Sequence, residues 1–294
     1  MIKIDNEKCN NCRICYEVCP GYVLSLDESG GDNKIVVRYA DLCTFCGHCV
    51  AACPTGAINH EGLSIDDFDK LSYPSIEPHE MKNLLFSRRS TRCFKTDPVP
   101  DDIVPQLIDV AIHSGTASNL QTEGFIVIKD KAFLKELEKI VIGTLWNRGL
   151  KFFSDRSLMG KILAKVYGPE LTKSYRKYNK TIKRRRENDE LDGMIFRNAP
   201  LVLMVHGLRK NYHAHTNCAI AVRNMELLAL TMGLATCWVG FLTSVAHMNR
   251  KKINRFLELD MSRQVYGALM IGSPKYKYQY NKLPRKKRKI KYDQ

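Results

Sequence analysis

Residues 9–20 read Cys9-Asn-Asn-Cys12-Arg-Ile-Cys15-Tyr-Glu-Val-Cys19-Pro20, and residues 43–54 read Cys43-Thr-Phe-Cys46-Gly-His-Cys49-Val-Ala-Ala-Cys53-Pro54. The two runs share one spacing, C-x2-C-x2-C-x3-C-P. They hold eight of the chain's 11 cysteines, and Cys93, Cys218 and Cys237 are scattered beyond them. The opening residues contain no apolar stretch of the kind that directs secretion. In such a chain, clustered Cys-x-x-Cys spacing reads as metal binding in a reducing compartment, not as a disulfide framework.

Three thiolates on one tight loop can each cap an iron of one cube, while the fourth, just before a proline, points across to another cube. This is the ligand spacing of bacterial 4Fe-4S ferredoxins. It assigns Cys9, Cys12, Cys15 and Cys53 to one 4Fe-4S cluster, and Cys43, Cys46, Cys49 and Cys19 to a second. A pair of zinc sites is the competing reading, but zinc motifs do not normally run to four cysteines closing on Cys-Pro, twice over. Such cubes move one electron at a time. A two-cluster head on a longer chain therefore implies an electron acceptor in the remainder.

Outward from the cysteines, residues 1–62 form two similar halves and read as one ferredoxin-type domain. Gly30-Gly31-Asp32-Asn33 is a turn signal between Tyr22-Val23-Leu24 and Ile35-Val36-Val37, which predicts a hairpin. Residues 63–79, rich in acids, Ser and Pro, read as a linker to a second domain over 80–294. Charge divides the same way. Residues 1–70 hold six basic and eleven acidic side chains, a net of −5, whereas the rest hold 40 basic and 20 acidic, a net of +20. An acidic head on a basic body points to separate units. The longest apolar stretch, 218–240, is interrupted by Arg223, Asn224 and Glu226, too soon for a membrane span. The expected setting is cytoplasmic, with no membrane and no nucleic-acid partner.

The second domain predicts α+β structure. Helical periodicity appears at 80–90, after Asp101-Asp102 and over 132–141. Residues 124–128, 201–205 and 266–271 read as strands, and 217–233, apolar on nearly every side, as a central core helix. Residues 150–193 are polar, basic and partly helical. No Gly-rich nucleotide cradle is present.

Several segments, in order, resemble the nitroreductase family of FMN enzymes. They are Arg88-Arg89-Ser90-Thr91-Arg92-x-Phe94, Ser118-Asn119-Leu120-Gln121 leading into Phe125, Asn198-Ala199-Pro200, Met232 to Gly240, and Ile271-Gly272-Ser273-Pro274 with its basic tail. The whole chain resembles a ferredoxin–nitroreductase fusion. That resemblance implies a nitroreductase-like α+β domain with a mixed central sheet flanked by helices, beside the bacterial-ferredoxin-like one. It implies an FMN held by Arg88, Arg89, Ser90 and Arg92, by Ser118, Asn119 and Gln121, by the backbone near Val239 and Gly240, and by Arg285 or Lys287 of the tail. It also implies a homodimer with FMN at the interface. Guanidinium forks suit a phosphate. Thr122-Glu123 departs from the family's usual Pro-Trp. Cys93, Cys218 and Cys237 are expected as small buried hydrophobes, and His206, His213 and His215 are not expected to bind metal.

The function expected is an FMN-dependent oxidoreductase. It passes electrons from two 4Fe-4S clusters to FMN and on to a small-molecule acceptor: a nitro compound, a quinone or an activated double bond. The alternative is an electron-transfer or redox-sensing protein without turnover. The basic segments 173–186 and 275–291 suit a solvated face or wrapping tail, or the steering of an acidic donor such as an external ferredoxin. No general acid or base stands out.

Overall fold

The computed structural model describes residues 2–27, 34–149, 161–162, 165–166, 168–281 and 283–292. The chain forms two compact units: Met1–Ser75 with Thr116–Gln121, and Ile76–Gly115 with Thr122–Gln294.

In the first unit, β1 (Ile2–Ile4) pairs antiparallel with β4 (Ile58–His60), and β2 (Leu24–Asp27) with β3 (Lys34–Val37). The predicted hairpin is therefore present, although its turn at 30–33 lies outside the described residues. Each cysteine run ends in a short helix, α1 (Ile14–Glu17) and α2 (His48–Ala52). The two halves repeat at a spacing of 34 residues, which carries Cys9 onto Cys43 and Cys19 onto Cys53. Backbone conformation repeats with them. Asn11 and Phe45, Arg13 and Gly47, Tyr22 and Gly56 are all left-handed, with φ between 52° and 74°. Four of these six carry the steric cost of a side chain in that region. Ile2, Val23, Leu24, Ile35, Val50 and Ile58 form the core, with Cys15 and Cys49 buried among them. Of the expected linker, the segment ending at Phe68 folds back, and Phe68 packs on this core.

The second unit is built on a sheet of order β5-β6-β8-β7: Gly124–Ile128, Leu201–Leu208, Arg263–Gly272 and Ala235–Trp238. All three ladders are antiparallel. Among the described residues, a parallel bridge, Ser90 with Thr236, at its β7 edge makes the sheet mixed. Both faces are covered, which explains why β6 and β8 are apolar at successive positions and not at alternate ones. Val202, Met204, Ala268 and Met270 face one core, with α5 (Lys131–Thr144), α6 (Pro169–Glu187), α8 (Gly240–Met248) and α9 (Arg250–Phe256). Leu201, Leu203, Leu269 and Ile271 face the other, with α4 (Ile103–Ile112) and α7 (Ala214–Thr231). Helix α3 (Pro78–Ser87) starts with Pro78 at its first turn and a reciprocal Glu77–Glu80 cap, and ends at Arg88.

Residues 235–238, read from the sequence as part of a turn, form β7 instead, and α8 and α9 were not predicted. β-Propensity at Thr236, Cys237 and Trp238 is realised because β8 offers a free edge. Among the described residues no helix is long and apolar enough to cross a membrane.

Candidate functional site

The first unit sorts its eight thiols into two groups. The thiol of Cys15 is raised by burial and has Cys53, Cys12 and Cys9 as its charge neighbours. That of Cys49 is pushed up to about 11, again by burial, with Cys19, Cys46 and Cys43 around it. Each loop thus has the last cysteine of the other run as a neighbour. A cavity is lined by Cys19, Cys43, Cys46 and Cys49 together with Pro20, Gly47 and His60. Backbone and side-chain donors already face sulfur: Ala57 N–H donates to Cys53 Sγ at 3.2 Å, and His60 Nε2 lies 3.5 Å from Cys43 Sγ. Four thiols in each group match the number of cysteine ligands a 4Fe-4S cube takes.

In the second unit, the residues from Arg88 to Arg92 run from the end of α3 along the β7 edge. Thr91 N–H donates to the Thr236 carbonyl at 2.9 Å. Arg88 Nη1 reaches Glu226 Oε1 at 3.5 Å, Arg223 Nη1 reaches Glu226 Oε2 at 2.5 Å, and Thr236 Oγ1 donates to Oε1 at 3.3 Å. Only 2% of the Glu226 side chain is exposed. One buried carboxylate therefore orients two guanidiniums side by side, and removing it would strand their charges. Glu226 and Arg223 were missed in the sequence reading. Their signal was an acid on the buried face of an apolar helix, three residues after an arginine.

Arg89 is turned toward the tail. It donates to the carbonyls of Phe86, Tyr280 and Asn281 and lies 5.7 Å from the Tyr278 ring centroid. Ser90 is half-buried, and its carbonyl accepts from Arg92 Nη1 at 3.1 Å. Arg285 and Lys287 lie exposed on the tail. The tail meets Arg89 through the main-chain carbonyls of Tyr280 and Asn281 and the Tyr278 ring.

Ser118, Asn119 and Gln121 belong to the first unit. All three are left-handed, with φ of 54°, 53° and 45°. The Asn119 amide donates to the carbonyls of Thr44 and Phe45, at 3.1 and 2.9 Å, inside the second cysteine loop. Gln121 donates in turn to Asn119 Oδ1 at 2.8 Å. These amides are thus held on the cysteine loop. Glu123 has a structural partner, accepting from the buried Asn217 at 2.9 Å.

Val239 is buried and its N–H donates to the Ala268 carbonyl at 2.9 Å, so this amide is taken and does not face a ligand. Gly240 opens α8, where the first amides of a helix lack intrahelical acceptors, and nothing lies within 4 Å of where a Cβ would stand. Of the three scattered cysteines, Cys218 and Cys237 are buried as expected, but Cys93 is exposed, its carbonyl accepting from Lys275 N–H at 3.1 Å. His206 is buried, hydrogen-bonded to Arg263 at 3.0 Å, and its pKa falls to about 4 through burial and then the Arg263 charge.

A further group was not foreseen. Glu138 on α5 is buried and accepts the N–H groups of Gly193, Ile195 and Phe196 at 2.8, 2.5 and 3.2 Å. It anchors the turn that presents Arg197 and Asn198, both left-handed at φ 55° and 53°. Its signal was a carboxylate on the apolar stripe of Leu134, Leu137 and Val141.

These features define a two-module redox protein, an iron–sulfur head on an α+β sheet domain with an arginine-rich edge. Residues 85–273 match the Nitroreductase family, and the chain belongs to it. Residues 8–57 match the 4Fe-4S dicluster domain. A ferredoxin from Methanothermococcus thermolithotrophicus is 44% identical over 59 residues, which are 19% of this chain and 92% of that protein. The polyferredoxin protein MvhB of Methanothermus fervidus is 28% identical over 128 residues, 44% of this chain but only 26% of MvhB. The chain spans less than half of a second relative too, at 46% of NADH-quinone oxidoreductase subunit I 2 of Geobacter metallireducens. Among solved structures, a nitroreductase with bound FMN from Desulfitobacterium hafniense shares the fold, with a TM-score of 0.53 and 20% identity, over 74% of this chain and all 100% of that one. Another with bound FMN, from Bacteroides fragilis, gives 0.50 and 20%, over 72% and 95%.

Proposed function

We propose that this chain is an FMN-dependent reductase. It takes in single electrons at two 4Fe-4S clusters and delivers a pair to an organic acceptor, a nitro compound, a quinone or an activated double bond. The observation that carries the reading is the crossed grouping of eight thiols on the same chain as a nitroreductase-family domain. Relatives at the head are ferredoxins, and structural neighbours of the second unit bind FMN. Bound FMN supplies the conversion between one-electron and two-electron transfer.

The residues present suit that cofactor. Cys9, Cys12, Cys15 and Cys53 would hold one cluster, and Cys43, Cys46, Cys49 and Cys19 the other. Arg88, with Arg223 beside it, offers paired guanidiniums of the kind that bind phosphate, held in place by Glu226. Ser90 and Arg92 line the same edge, where Arg92 donates to the Ser90 carbonyl. Gly240 gives an open amide, with no side chain to bar a ring from the backbone. Asn119 ties its loop to the carbonyls of the second cysteine loop, so that loop's position depends on the cluster fold. A homodimer that works in the cytoplasm, with an external ferredoxin as donor, completes the proposal.

Anaerobic purification followed by turnover tests it. The protein should be brown-yellow, with about eight irons per FMN, and should reduce a nitro or quinone acceptor when supplied with reduced ferredoxin. Protein that lacks a flavin and refuses to take one up overturns the reading.

A further inference from the structure

An electron added to a 4Fe-4S cube leaves more negative charge on its sulfurs. A hydrogen-bond donor aimed at a ligating sulfur therefore stabilises the reduced cube more than the oxidised one and raises its reduction potential. His60 offers such a donor to one of the two thiol groups. It ends β4 and is buried, and its Nε2 lies 3.5 Å from Cys43 Sγ. It lines the same cavity as Cys19, Cys43, Cys46 and Cys49.

The other ring nitrogen fixes where the proton stands. Gly62 N–H donates to His60 Nδ1 at 3.1 Å. Nδ1 is then an acceptor, so the ring is neutral and its one N–H is on Nε2, facing the sulfur. The ring is also held in place. His60 pairs with Ile2 of β1, and its carbonyl accepts from Leu63 N–H at 3.1 Å in the turn that follows. Phe45 lies edge-on to the imidazole, with ring centroids 4.9 Å apart. Gly62 leaves room for that contact, since a Cβ there would stand 2.9 Å from Phe45 Cε1. Asn119 secures Phe45 in turn, donating to its carbonyl at 2.9 Å.

The first half of the unit has a different side chain at this place. The 34-residue repeat sets Leu26 where the second half has His60, and Leu26 packs on the core. At the other thiol group, donors gather on Cys53 instead: Ala57 N–H at 3.2 Å, with Thr55 Oγ1 at 3.6 Å. Different chemistry thus faces the sulfurs of the two groups.

We propose that His60 donates its Nε2–H to the Cys43 sulfur and thereby raises the reduction potential of the second cluster. One electron enters that cube from a low-potential reductant such as reduced ferredoxin or dithionite, and no bond is made or broken at His60. The proposal rests on the assignment of Cys19, Cys43, Cys46 and Cys49 as the ligands of one cluster, and not on the identity of the acceptor.

The test titrates the holoprotein with dithionite in the presence of redox mediators and follows the reduced clusters by electron paramagnetic resonance. Iron content is measured on the same samples. The signal that changes in Cys43→Ser marks the second cluster. His60→Leu, which installs the residue of the first half, should weaken that cluster's reduction by about tenfold, a fall in midpoint of about 59 mV for one electron. The other midpoint should stay in place. His60→Gln keeps an N–H donor and should recover part of the loss. An unchanged midpoint in His60→Leu with full iron overturns the proposal. So does a midpoint equally low in His60→Gln, which would assign the effect to packing. Should His60→Leu fail to assemble the cluster, His60→Phe, which keeps a ring beside Phe45, takes its place. Wild-type protein with about four irons, or a Cys43→Ser variant with no signal changed, breaks the ligand assignment and takes the proposal with it.

Discussion

At the scale of single residues, buried charges decide most. Glu226 neutralises Arg88 and Arg223 from a position with 2% exposure, so Glu226→Gln keeps the shape and removes the charge. Urea unfolding should show a loss of about 2 kcal/mol, and FMN affinity should fall with it as Arg88 loses its orientation. Unchanged stability would mean that water, not Glu226, balances the two arginines. His206 makes a pH prediction. Its folded pKa of about 4 lies below the ordinary 6.5, so the unfolded chain takes up its proton first as pH falls. Stability from this group is complete above about pH 6.5, and about 3 kcal/mol is lost as pH drops toward 4. His206→Asn should flatten the fall in urea midpoint between pH 7 and 5 relative to wild type; parallel curves would refute this. The 4Fe-4S dicluster domain was legible in the sequence because the cysteine spacing encodes it. Glu226 and Glu138 were not, because their roles depend on contacts across long stretches of chain.

Elements carry a second set of consequences. Strand β5 begins at Gly124, where a Cβ would stand 2.3 Å from His206 Cε1. That ring is buried and bonded to Arg263, so it has nowhere to swing. Gly124→Ala should cost about 1–3 kcal/mol by overpacking, read as a lower thermal midpoint, with no change in iron content because the cysteine unit is untouched. At Gly47, with φ of 74°, a Cβ would press on Phe68 at 3.0 Å. Gly47→Ala should do the reverse, lowering iron content while the FMN-dependent signal persists. If both variants lost both cofactors together, the two units would be one cooperative body. Long periodic elements such as α5 and α7 were readable from their apolar stripes, as were β6 and β8 from their uninterrupted hydrophobic runs. β7 and α9 were hidden for different reasons. The four residues of β7 follow a Gly-Leu turn signal, and α9 opens on Arg250-Lys251-Lys252, with Ile253 and Asn254 its buried residues.

For the molecule as a whole, the chain forms two compact units, and its charge is uneven, a net of −5 over residues 1–70 and +20 beyond them. What composition could not show is that residues 116–121 leave the second unit's sequence to pack with the first, through Asn119 and the carbonyls of Thr44 and Phe45. Such a contact joins positions 75 residues apart, beyond any local pattern. The central claim is that electrons reach the flavin by way of the clusters. Its most direct test is stopped-flow reduction of the bound flavin by a previously reduced external ferredoxin, in wild type and in Cys49→Ser, with FMN content matched. The account predicts that losing the second cluster slows flavin reduction by about tenfold or more; reduction at the wild-type rate would contradict it.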